Sequence, residues 1–238
     1  MAQTSRNKPG VEEFGGASNA GSGDVAMYKL QNSFERNKKI IIGLAVAVII
    51  AVGAFFGYKY FVQQPNEEKA ARALYKVQNW FEADSANLVI NGDGQSQGGL
   101  SVIKKFSGTE AANLAKFYVG MSYLKTGDAN NAIKHLGDFN GNGTVMTYSA
   151  YGALGDAYME AGKADKGIEF YNKAAAVGEK DPFTSSLYTF RAGLASERAG
   201  KMEEAKKFYK TVKEKYPNTM PGMEIDKYLA RVGELTID

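Results

Sequence analysis

The stretch Ala115–Leu136, AKFYVGMSYLKTGDANNAIKHL, recurs twice downstream: as YGALGDAYMEAGKADKGIEFY from Tyr151 and as TFRAGLASERAGKMEEAKKFY from Thr189. Four columns line up: Gly120, Gly155 and Gly193; Gly127, Gly162 and Gly200; Ala132, Gly167 and Ala205; Leu136, Tyr171 and Tyr209. Every column steps by 35 and then 38 residues. Self-similarity at a fixed period of about 20–50 residues is the mark of a repeat architecture. Each unit reads as a pair of helices. The first glycine lets the two helices approach closely. The second sits just past the first helix, where a positive φ is often required. Asp128, Ala164 and Glu203 then fall at or near the start of the second helix. Ala132 and Ala205 occupy its inner crossing, and Leu136, Tyr171 and Tyr209 fill the core one turn later. Pro217 stops the last of these helices. The longer 38-residue step predicts a longer turn near Gly178–Pro182.

These columns resemble the tetratricopeptide repeat, whose pattern is W-x2-L-G-x2-Y…A-x3-F…P at about 34 residues. Leu154, Gly155 and Tyr158 match its L-G-x2-Y piece, Val119, Gly120 and Tyr123 match it conservatively, and Ala205, Tyr209 and Pro217 match its second half. The Trp is missing from all three units, Ser196 replaces the Tyr, and Gly167 replaces an Ala. The resemblance implies an all-α solenoid, a transmembrane helix aside, whose first helices line a concave groove.

Outward from the repeats, residues 66–86 read as one long helix with Leu74, Val77, Trp80 and Phe81 on its apolar face. NGDGQSQGG is a loop, and Leu100–Phe106 a shorter helix; together they form a degenerate first pair. A final helix within Tyr216–Asp238, with Ile225, Tyr228, Leu229 and Val232 on one face, caps the open end, as terminal repeats must. The repeat domain is thus expected over residues 63–238.

Ahead of it, Ile40–Val62 reads IIIGLAVAVIIAVGAFFGYKYFV, with Lys59 as its single ionisable charge. A helix of that length spans about 35 Å against a hydrocarbon core of about 30 Å. Lys59 can snorkel at one end, beside an aromatic belt of Tyr58, Tyr60 and Phe61. The run is too long, and too far from the N-terminus, for a cleaved signal peptide. Arg36, Lys38 and Lys39 flank its N-terminal side, so the positive-inside rule places residues 1–39 in the cytoplasm and the repeats across the membrane. Gly53 and Gly57 form a G-x-x-x-G pair, a spacing that permits close approach of another membrane helix. Residues 1–24 are rich in Gly, Ser and Asn and read as disordered. From Asp24 a short juxtamembrane helix is expected, either along the membrane surface or straight into the anchor.

Composition narrows the chemistry. Among 238 residues there is no Cys and one His, which excludes disulfides, thiol nucleophiles, Cys-ligated metals and paired-His sites. Asp138, Asn140, Asn142 and Gly143 open like an EF-hand loop, but Ser149 stands where the bidentate Glu belongs, so this reads as an inter-repeat turn. His135 has no ligand partner at a useful spacing and reads as structural. No P-loop, Rossmann or G-x-S-x-G motif occurs, and neither catalytic residues nor a cofactor or metal are expected. The net charge of +3 lies entirely in the tail and anchor flank, because residues 63–238 hold 22 basic and 22 acidic residues. No basic patch for nucleic acid is expected, and partner recognition should rest on shape and apolar contact.

The groove-facing spacing selects Leu114, Phe117, Met121 and Leu124, then Asp156 and Met159, then Leu187, Phe190, Leu194 and Arg198. Phe117 and Met121 stand where relatives that clamp a carboxylate use Lys and Asn, which argues against such a clamp. An apolar partner segment or helix is the functional reading; packing within the solenoid is the alternative.

Around the anchor, SFERNKKIIIGLAVAVIIAVGAFFGYKYF resembles the start of the YfgM family of Gram-negative bacteria. Phe34, Asn37, Lys38, Gly43, Gly53, Gly57, Tyr58, Lys59 and Tyr60 carry the likeness. The longer Gly-rich tail departs from that family. The resemblance implies a bacterial inner-membrane protein with a periplasmic repeat domain, an ancillary subunit of the SecYEG translocon that works with an anchored chaperone of the PpiD type. A scaffold of another envelope machine, in cell division, lipoprotein assembly or a different secretion system, fits the repeats equally, because fold does not set partner.

Overall fold

A computed structural model describes residues 22–141, 143–179 and 181–234. The disordered-tail expectation falls largely on residues 1–21, outside the described residues, as does Asn142 of the EF-hand-like loop. Among the described residues there is no strand, and a single antiparallel bridge joins Gly92 to Gln97. The fold is all-α. The chain divides into two units after Lys59.

In the first unit, α1 runs without a break over Ser22–Tyr58. The juxtamembrane and anchor segments are therefore one helix. No Gly or Pro interrupts the sequence between Asp24 and Gly43, so nothing stops the first from running into the second. Its apolar residues, Ile40, Leu44, Ile49 and Phe55 among them, are exposed, and none of its most apolar window is buried. It is long and apolar enough to cross a membrane. A five-residue π-helical stretch, Lys59–Gln63, follows.

In the second unit, α2 (Gln64–Glu82) starts with a proline in its first turn, where a missing N–H costs nothing. It is followed by α3 (Ala86–Asn91) and α4 (Gly99–Lys105). Three helical pairs come next: α5 (Glu110–Lys125) with α6 (Ala129–Gly137), α7 (Val145–Glu160) with α8 (Ala164–Val177), and α9 (Pro182–Arg198) with α10 (Met202–Lys215). Two short pieces, α11 (Met220–Met223) and α12 (Ile225–Arg231), close the chain.

The repeat columns have direct structural causes. Gly127, Gly162 and Gly200 have φ of 80°, 72° and 75°. Each ends its helix with the same paired bonds. After α5, Gly127 N–H donates to the Leu124 carbonyl (3.1 Å) and Asp128 N–H to that of Tyr123 (2.9 Å). After α9, Gly200 N–H donates to the Glu197 carbonyl and Lys201 N–H to that of Ser196, both at 2.9 Å. This is the Schellman stop, which satisfies carbonyls the helix leaves open. The other columns are knob and hole. A Cβ on Gly120 would lie 2.6 Å from Leu136 Cγ, one on Gly155 2.5 Å from the Tyr171 ring, and one on Gly193 2.5 Å from the Tyr209 ring. Each large side chain of the second helix thus packs onto the bare backbone of the first.

Three expectations need correction. The single helix expected over residues 66–86 stops early: α2 ends at Glu82, and a separate α3 starts at Ala86 and buries Val89 and Ile90. The stop is made by Asp84 at φ 59°, a residue type that tolerates the left-handed region, with Ser85 N–H reaching the Trp80 carbonyl at 2.9 Å. The longer repeat step does not come from a longer turn. The turn Gly178–Asp181 is shorter than Asp138–Thr144; the extra length is in α8, whose 14 residues exceed the 9 of α6. Lys173–Val177 is helix-forming, whereas Gly137 onward is rich in Gly, Asp and Asn. The final helix is broken at Glu224 into α11 and α12, with Ile225, Leu229 and Val232 packed on Ala205, Tyr209 and Val212 of α10.

Candidate partner-binding groove

The stripe chosen from spacing divides when its residues are placed. Phe117, only 8% exposed, belongs to the core around Leu136 and Leu154, with its ring 5.4 Å from that of Phe139. Met121 and Leu124 are half-buried against the same core, and Leu114 against the cluster built on α2. Phe190 packs between the rings of Tyr209 and Tyr228, at 6.0 and 4.7 Å. Leu187 is exposed. Three of the stripe's apolar residues reach open cavities: Leu194 one of about 580 Å³, Leu124 an adjoining one of about 300 Å³, and Met159 both. Asp156, Arg198 and the edge of Tyr171 also line both cavities. In the anchor, a Cβ on Gly53 or Gly57 would meet nothing within 4 Å.

The larger cavity is framed by two similar polar clips. Tyr171 Oη donates to Asp156 Oδ1 at 2.5 Å, and Arg191 Nη1 donates to both oxygens of Asp156 at 3.0 and 2.9 Å. One repeat further, Tyr209 Oη donates to Glu197 Oε2 at 2.7 Å, and Arg231 grips both Glu197 oxygens at 2.5 and 2.8 Å. In each clip the hydroxyl of a core tyrosine reaches a carboxylate that lines the cavity; Tyr171 lines it too, whereas Tyr209 is fully buried behind Glu197. An arginine from a later helix, Arg191 on α9 or Arg231 on α12, then ties the carboxylate down. Burial, reinforced by the hydrogen bond to the carboxylate, pushes both tyrosine hydroxyls well above the ordinary phenol range. Burial works to raise Glu197, but the hydrogen bonds from Arg231 and Tyr209 outweigh it and hold the carboxyl below its usual value. The first repeat has Leu136 in the tyrosine column and so has no such hydroxyl.

These clips escape a reading of apolar spacing because Tyr171 and Tyr209 look there like core aromatics. The signal was available in the replacement of Leu by Tyr down one column, together with an acid on the preceding helix. The EF-hand-like loop is pinned by α5. Lys116 Nζ donates to the Asp138 carbonyl at 3.0 Å, and Asn113 exchanges two hydrogen bonds with the backbone of Asn140. An ammonium thus occupies a carbonyl beside the site where a cation would have to sit. His135 is buried, with its ring stacked 5.6 Å from Tyr123.

Two family models, both described as tetratricopeptide repeat, match the chain at residues 148–177 and 189–219. The chain carries tetratricopeptide repeats. The matched segments fall on the pairs α7–α8 and α9–α10, the two that carry the clips. Among solved structures, the array is similar to a Podosopora anserina protein titled a kinesin light chain with nearly identical TPR-like repeats, at 10% identity and a TM-score of 0.51, over 70% of this chain and 86% of that one. A variant of the same protein superposes at 11% identity and a TM-score of 0.50, over 70% and 85%. At such identity the likeness is one of fold. No curated protein matches the chain in sequence.

Proposed function

We propose that this chain is a non-enzymatic, membrane-anchored scaffold whose repeat groove holds a protein partner. The carrying observation is the cavity framed by α7, α9 and α12, inside an array that carries tetratricopeptide repeats, which suggest a protein–protein interaction scaffold. In this reading residues 40–62, the end of α1 and the π-helical turn after it, cross the bilayer, residues 1–39 lie in the cytoplasm, and residues 63–238 are displayed in the bacterial periplasm. The bare, exposed apolar length of α1 supports the anchor, and Arg36, Lys38 and Lys39 support the orientation. The resemblance of the anchor region to the YfgM family supports the SecYEG translocon and a PpiD-type chaperone as the machine served. The groove residues are Met159 and Leu194, edged by Leu124, with Leu187 exposed on the same helix as Leu194; Phe117, Phe190, Leu114 and Met121 support it from within the core. Gly53 and Gly57 offer the membrane face for a second helix.

Photo-crosslinkers placed at Leu194 and at Gly53 in intact membranes test this. Adducts with a translocon subunit from Gly53 and with a periplasmic chaperone from Leu194 are expected. Adducts with other envelope proteins would move the scaffold to a different machine, and labelling of Leu194 from the cytoplasmic side would invert the topology.

A further inference from the structure

The two carboxylates inside the main cavity are both spent. Asp156 is held by Arg191 and Tyr171, and Glu197 by Arg231 and Tyr209, with every carboxylate oxygen engaged. Arg198, at the end of α9, faces the same space and makes no ion pair or hydrogen bond with any described residue. Glu160 stands on the wall of the adjoining cavity without closing onto it. Within the main cavity the charges therefore cancel in pairs except at Arg198, which shares the lining with Met159, Leu194 and Met202; Glu160, in the adjoining cavity, is the other charge there without an ion pair among the described residues. A guanidinium kept free above apolar side chains presents its fork of donors to an incoming carboxylate.

We infer that Arg198 selects the ligand of this groove: an extended or helical peptide segment carrying an Asp or Glu beside an apolar side chain, the acid on Arg198 and the apolar group on Met159, Leu194 and Met202. The inference rests on the groove reading above and sharpens it, because apolar contact alone would accept any hydrophobic segment. It differs from the carboxylate clamp argued against from sequence, whose places hold Phe117 and Met121 on α5. The methionines suit the apolar half of the ligand, since their flexible thioethers adapt to varied side chains.

The test uses the full chain in detergent and a displayed library of random short peptides, selected in parallel on the wild type, on Arg198→Glu and on Leu194→Asp. Arg198 is exposed, and a matching thermal midpoint for its variant shows that the fold stands. The wild type should enrich acidic residues next to Leu, Phe or Met, and Arg198→Glu should enrich Lys or Arg in their place. A selected peptide should bind about tenfold more weakly to Arg198→Gln, while its Glu→Gln counterpart binds both proteins alike. Enrichment of apolar peptides with no charge preference, equal on wild type and Arg198→Glu and lost on Leu194→Asp, overturns the role of Arg198 and leaves the groove reading intact. Enrichment of nothing on the wild type that Leu194→Asp loses overturns both.

Discussion

Glycine serves two unlike purposes in this array, and substitution separates them. Gly127 has φ 80° with open space around its Cβ position, so its requirement is conformational. Gly155 lies inside α7 with the Tyr171 ring 2.5 Å from a would-be Cβ, so its requirement is room. Gly127→Asn should cost well under about 1 kcal/mol, because Asn tolerates the left-handed region, and Gly127→Ala about 1–2 kcal/mol. Gly155→Asn and Gly155→Ala should both destabilise, by about 1–3 kcal/mol, because neither the ring nor the helix backbone can withdraw freely. Urea unfolding of the variants checks the ordering; a Gly155→Asn as mild as Gly127→Asn would contradict the knob-and-hole account. His135 titrates with a definite sign. Burial first, then Lys134, pushes its imidazole below the ordinary 6.5, against the opposing pull of Asp138. Its folded pKa is therefore lower than its unfolded one. The unfolded chain binds the proton first, so the fold keeps its full stability above about pH 6.5 and loses some as pH falls below it. The unfolding midpoint should drop between pH 7 and pH 5 by more in the wild type than in His135→Gln. Equal slopes would show that the ring is free to protonate where it stands.

At the level of helices, the ends were readable where a glycine marks them and unreadable where another residue does the same work. Gly127, Gly162 and Gly200 announce three Schellman stops. Asp84 makes another, at φ 59°, and nothing in the pattern Leu74, Val77, Trp80, Phe81 signals that the helix ends one residue after Phe81. The groove was half readable for a similar reason. Spacing places Phe117, Met159 and Leu194 on the inner faces of their helices, but whether a side chain sinks or stays open depends on neighbours that are remote in sequence. Glu67 is another long-range partner with no local signature. From α2 its two carboxylate oxygens accept the N–H groups of Glu110 and Ala111, at 3.0 and 2.9 Å, and so cap α5 across 43 residues beside the ordinary Thr109 cap. Open N–H groups at a helix start favour an anion. Glu67→Gln should cost about 1 kcal/mol, measured by urea unfolding, and should speed hydrogen exchange at Glu110 and Ala111 while leaving α9–α10 unchanged. Unchanged exchange at those two amides would remove the cap from the account.

Across the whole repeat array, cohesion is a sum of contacts between neighbours, so what couples one pair to the next decides whether the array opens as a unit. The two clips lie at such junctions. Asp156 of α7 and Tyr171 of α8 are tied to α9 through Arg191, and Glu197 of α9 and Tyr209 of α10 are tied to α12 through Arg231. The first pair, with Leu136, joins its neighbour by apolar packing in that column. Tyr209→Phe keeps the ring that fills the hole at Gly193 and removes only the hydroxyl. It leaves Glu197 with Arg231 alone, at a cost of about 1 kcal/mol, the usual net worth of such a hydrogen bond. A loss of that size multiplies the open population of the affected element about fivefold. Exchange of the Ile225–Arg231 amides should therefore quicken by about that factor, while the amides of α5 and α6, three helices away, keep their rates. Tyr171→Phe should instead quicken exchange at the α8–α9 junction. If Tyr209→Phe accelerated every helix equally, the array would be opening globally, and the clips would be local decorations of a single cooperative core rather than the joints between its repeats.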